Sequence, residues 1–147
     1  MKFLAVAAAS VALVVGGLGS GVAQAETVPG CSSAVQIGAT AYIDYGGKHI
    51  VSVKQFKGCD KKWAYMYAWQ TFVDSRKSFF MTSAVGVFGL VTQPDPDYLV
   101  GVVHGRTGQR EVWSSATDTV TNCTTAAGDV ALVTDDKFLQ VYSQIRC

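Results

Sequence analysis

Charge is scarce in this chain. Asp, Glu, Lys and Arg make up 16% of the 147 residues, and 12 basic residues face 11 acidic ones. General nucleic-acid binders carry a strong basic excess, so no nucleic-acid partner is expected. Histidine occurs only twice, at His49 and His104, which leaves little for imidazole catalysis or metal ligation. No G-x-S-x-G, H-E-x-x-H or P-loop pattern is present, so the commonest hydrolase, metalloprotease and phosphate-binding signatures are missing. The cysteines form no C-x-x-C pair, against a zinc knuckle or a thioredoxin-like site. The pairs Asp95/Asp97 and Asp135/Asp136 fall short of the ligand set of an EF-hand loop and read as turn formers. No metal and no cofactor is expected. Long amphipathic helical patterns, repeats and linkers are also lacking, so a single domain is expected.

Long apolar runs are absent except at the start. Lys2 precedes an uncharged stretch rich in Ala, Val and Leu, which closes on Ala23-Gln24-Ala25. This is the pattern of a secretory signal peptide. The apolar core is short for a membrane span, which needs ~20 apolar residues; a retained N-terminal anchor is the alternative. Residues 1–25 are thus expected to be a signal peptide and residues 26–147 a secreted, extracellular domain with no membrane span. Lys2 is the one charge removed by that cut, so the mature chain is electrically balanced.

Four cysteines remain: Cys31, Cys59, Cys123 and Cys147. An even count in an oxidising compartment predicts two disulfides. The local pairing Cys31–Cys59 with Cys123–Cys147 is favoured because each loop encloses a plausible strand pair. The chain-entropy relation gives each about 3–4 kcal/mol. The crossed pairing, Cys31–Cys147 with Cys59–Cys123, is the alternative.

Period-two patterning dominates the mature chain. Residues 35–45 alternate, with Val35, Ile37, Ala39, Ala41, Ile43 and Tyr45 on one face. Gly46-Gly47 supplies a tight hairpin turn, and residues 48–57 return as a strand. Residues 63–73 and 79–91 read as further strands. Residues 93–97, with two prolines, read as a loop. Hairpins are expected around residues 105–108 and 135–137, a short strand over 117–123 and a turn at 126–129. Eight or nine short strands with regular turns predict an all-β, single-domain antiparallel β-sandwich or small barrel with two disulfides.

Three groups of residues are candidates for function. Trp63, Tyr65, Tyr67 and Trp69 share one strand face and could form a ligand-binding platform for sugars, planar molecules or peptides; the alternative is that this face is the sandwich core. Lys54, Lys57, Lys61 and Lys62 surround Cys59 and could form a basic corner, or an ordinary solvated loop. His49 and His104 each lie beside an expected hairpin turn, and would be an acid–base pair if the two tips met. Asn122-Cys123-Thr124 also fits a glycosylation sequon, although its central Cys would compete with modification.

The Ala-Gln-Ala signal ending, the early Cys31, and Cys59-Asp60-Lys61-Lys62-Trp63-Ala64 after a Gly-Gly hairpin resemble small secreted proteins of actinomycete-type bacteria, over about residues 31–69. Asn122-Cys123-Thr124-Thr125-Ala126-Ala127 is similar to a segment of neocarzinostatin-type apoproteins, which are two-disulfide β-sandwiches. Gly128 stands near where that family has its next Cys, and the rest of the chain departs from its pattern. Taken together, the expectation is a secreted, non-enzymatic binding module for a polysaccharide, small molecule or protein. The alternatives are a small nuclease-like hydrolase using His49 or His104, and an inhibitor or toxin presenting residues 93–97.

Overall fold

The computed structural model describes residues 26–75 and 77–147; the expected signal peptide lies outside the described residues. Eight strands and one helical turn follow in order. They are β1 (Val35–Tyr45), β2 (Lys48–Gly58), β3 (Lys61–Ala68), α1 (Gln70–Val73), β4 (Phe79–Phe88), β5 (Tyr98–His104), β6 (Glu111–Trp113), β7 (Cys123–Leu132) and β8 (Lys137–Tyr142). They form two antiparallel sheets of order β1-β2-β3-β6 and β5-β4-β7-β8.

The sheets pack face to face as a sandwich. Ile43, Val51, Val53, Ala64, Met66, Ala68 and Val112 of the first sheet meet Phe79, Met81, Val85, Ala126, Val130 and Leu132 of the second. The disulfides are Cys31–Cys59 and Cys123–Cys147, which excludes the crossed alternative.

Three local expectations are corrected. Residues 126–129, expected to turn, lie in the middle of β7. Ala-Ala-Gly-Asp is turn-like composition, but Gly128 is needed where the sheets come closest. A Cβ there would sit 2.5 Å from Val53 Cγ2 and 3.1 Å from Met66 Cε. Residues 117–122 form no strand, and Thr117 makes only an isolated bridge to Lys62. Residues 105–108 do not close a hairpin: β6 crosses over to pair with β3 in the other sheet. Along β1 the alternation also breaks. Gly38 has φ +76° and the register shifts between Ile37 and Ala41, leaving Val35 62% exposed.

Replacing Gly128 by Ala puts a methyl against Val53, a stiff β-branched side chain. Overpacking of this kind costs about 1–3 kcal/mol. The expected loss is measurable as a lowered midpoint in urea unfolding at unchanged m-value.

Candidate functional site

The aromatic ladder lies on the face of β3 turned away from the second sheet. Because Ala64, Met66 and Ala68 take the inner face, Trp63, Tyr65 and Tyr67 point outward; this face is not the sandwich core. Trp63 and Tyr65 are nevertheless only 4% and 2% exposed. They pack with Phe56, Val28 and Cys31, and Trp113 closes the cluster. Tyr65 and Trp113 have ring centroids 4.3 Å apart. Burial pushes the Tyr65 hydroxyl well above its ordinary pKa. Tyr67 is half-buried, with the Arg110 guanidinium 4.8 Å from its ring centroid. Trp69 leaves the strand as the N-cap of α1 and is 41% exposed. Two of the four expected contact residues therefore sit beneath residues 26–33.

The basic corner is dispersed. Lys54 pairs with Glu26 and Lys61 with Asp118, while Lys57 faces solvent. Lys62 is turned into the sandwich and is 1% exposed. Its Nζ donates to the Asn122 carbonyl at 2.8 Å and to Thr124 Oγ1 at 2.9 Å. Thr124, the last residue of the possible sequon, is itself fully buried.

His49 and His104 lie in different sheets with separate partners. His49 stacks on Tyr42, with centroids 4.3 Å apart, and Nδ1 contacts Asp44. It lines a cleft of about 270 Å³ together with Tyr45, Lys48, Phe72 and Lys77. At the rim, Tyr45 Oη and Lys77 Nζ donate to Asp135 at 2.6 and 2.7 Å. These two bonds hold the Asp135 carboxyl below its usual range and tie β1 to the β7–β8 turn. The charges of the cleft are thus largely spent on internal pairs.

His104 belongs to a different arrangement, on the outer face of the second sheet. Phe80, Ala131 and Phe138 are neighbours across β4, β7 and β8, and the two rings are 42% and 65% exposed. With strands about 4.8 Å apart, the rings flank the Ala131 methyl at about 10 Å from each other. The next row in register is His104, Thr82, Asp129 and Gln140, across all four strands. His104 Nδ1 and Thr82 Oγ1 are 3.0 Å apart. Burial raises the Asp129 carboxyl above its ordinary value, against the opposing Gln140 hydrogen bond and His104 charge. Its Oδ1 finds no hydrogen-bond partner among the described residues.

Beyond this row the loop at residues 93–97 folds back onto the sheet instead of projecting. Asp97 accepts from the Gly89 amide and, at 2.9 Å, from Gln93 Nε2. A Cβ on Gly86 would stand 2.8 Å from both Pro96 and Thr125, so glycine lets the loop lie flat on the strands. The result is an open ledge with rings at one end, hydrogen-bonding groups in the middle and a loop wall at the other.

Of the residues in these two rows, sequence reasoning singles out only His104, as a candidate acid–base residue, and not Phe80, Thr82, Asp129, Phe138 or Gln140. The available signal was Asp129 itself, a carboxylate inside an otherwise apolar β-rich run, which the Gly-Asp turn reading concealed. Comparison of the chain with family models, curated proteins and solved structures gives no match.

Lys62 generates a pH-dependent expectation. Burial, reinforced by the Lys57 charge, holds its amine below the ordinary value of 10.5. The folded state therefore binds this proton less tightly than the unfolded state. The resulting penalty is full below the folded-state pKa and fades as pH rises toward the unfolded value. Between about pH 7 and about pH 10, wild-type stability should rise relative to that of Lys62→Met. Urea unfolding of both proteins across that range checks the sign.

Proposed function

We propose that the chain is a secreted, non-enzymatic β-sandwich that binds an extracellular polysaccharide on the outer face of its second sheet. The observation that carries this reading is the register of two solvent-facing phenyl rings, Phe80 and Phe138, with the row His104, Thr82, Asp129 and Gln140. A sugar presents apolar C–H faces and a rim of hydroxyls. Exposed rings match the faces, and a few placed polar groups fix orientation. A row across four strands suits an extended chain of sugar units better than a compact ligand, which needs a concave pocket. Secretion is supported by the leader pattern and by two disulfides, which persist in oxidising compartments.

Within this reading Gln140, Thr82 and His104 supply hydrogen bonds to sugar hydroxyls, with Asp129 in the same row beneath them. His104 is then a contact residue, and neither histidine is assigned a catalytic role.

Affinity electrophoresis against a panel of soluble polysaccharides tests the proposal. Retardation by at least one of them is expected. Phe138→Ala and Phe80→Ala should each weaken binding about fivefold or more, the ~1 kcal/mol typical of a contact that matters. Both side chains are exposed, so thermal stability should change little. Absence of retardation by every polysaccharide, or unchanged affinity in the Phe80→Ala/Phe138→Ala double variant, would overturn it.

A further inference from the structure

A second aromatic surface lies beneath residues 26–33. Phe56, Trp63, Tyr65 and Trp113 form a contiguous cluster on the outer face of the first sheet. The segment that roofs it makes no strand pairing with the sheet below. Its backbone bonds are internal, from the Cys31 amide to the Val28 carbonyl at 3.1 Å and from the Ala34 amide to the Cys31 carbonyl at 3.4 Å. What fixes it to the sheet is the buried side chain of Val28, the Glu26–Lys54 ion pair and the Cys31–Cys59 bridge. The bridge is the one covalent member of that set. Cys31 is buried at 4% exposure, whereas Cys59 is exposed. Cys59 sits in a turn where it and Asp60 hold φ of +43° and +54°, and solvent-facing Lys57 stands two residues away.

We propose that residues 26–33 are a redox-released latch, and that opening the Cys31–Cys59 bridge uncovers the Phe56/Trp63/Tyr65/Trp113 surface without unfolding the sandwich. The reductant is a dithiol. One of its thiolates attacks the exposed Cys59 sulfur. The S–S bond breaks, and its electron pair leaves on the Cys31 sulfur, which takes up a proton. The second thiol of the dithiol then displaces Cys59, which also ends as a thiol, and the dithiol becomes a disulfide. The sandwich has its own packed core between the sheets, and Cys123–Cys147 joins β7 to the C-terminal residue, away from residues 26–33. The latch contributes to neither. This inference is independent of the second sheet's outer face.

Tryptophan quenching by acrylamide tests it. A Trp69→Phe background removes the exposed indole and leaves Trp63 and Trp113 as reporters. In the oxidised protein Trp63 should be shielded and half-buried Trp113 partly so. After dithiol treatment, with Cys31 and Cys59 identified as free thiols by alkylation and mass spectrometry, quenching should rise severalfold. The emission should shift to the red, and the far-UV circular dichroism of the β-sheets should persist. A Cys31→Ser/Cys59→Ser variant should behave the same way without reductant. A folded variant whose tryptophans stay shielded overturns the proposal. So does loss of the β signal when the bridge is opened, because the bridge would then be a staple of the whole fold.

Discussion

The closeness of the two sheets governs most of this structure. Where β2 and β3 cross β7, the facing residues are Val51, Val53, Ala64, Met66, Ala68, Ala126 and Gly128. At this crossing the facing side chains are mostly small, while the two rings of the core, Phe72 and Phe79, pack against each other with centroids 4.7 Å apart. The aromatics of β3 take the opposite face of the strand from Ala64, Met66 and Ala68. Turned outward, Trp63 and Tyr65 would expose a large apolar surface, and residues 26–33 cover them. The N-terminal segment, held by the Cys31–Cys59 bridge, thus serves as the cover of the β3 aromatics.

The architecture was readable from the sequence where the pattern was local. The strands β1 and β2, the Gly46-Gly47 hairpin between them, the loop at residues 93–97 and the favoured disulfide pairing all have local signals. What was not readable depends on partners distant in the chain. The Gly128 turn signal is genuine locally and is overridden by the approach of Val53. The switch of β6 into the first sheet leaves no local mark, because Glu111–Trp113 is only three residues long. Likewise a period-two pattern places Trp63 and Tyr65 on one face without saying which layer covers it. The ledge around Asp129 was hidden for the same reason, since its row exists only once four strands are aligned.

Two surfaces of different character result. The outer face of the second sheet is open, mixed in polarity and bounded by a loop held down over Gly86 and Thr125. On the outer face of the first sheet, the Phe56, Trp63 and Tyr65 cluster is apolar and covered. His49 belongs to neither. It stabilises the β1–β2 hairpin through Tyr42 and Asp44, while Tyr45, Asp135 and Lys77 bind that hairpin to the far sheet.

The two bridges also bear on the order in which the chain acquires its structure. Each joins cysteines fewer than 30 residues apart, with separations of 28 and 24. The pairing of β4 with β7 instead joins residues as distant as Phe79 and Leu132, and β3 with β6 joins Tyr65 to Trp113. Closing long loops is slow and entropically costly before their contacts form. Oxidation at either bridge needs only a short loop to close, so both crosslinks can be in place while the sandwich is still open. The pairings of β4 with β7 and of β3 with β6 close the longer loops.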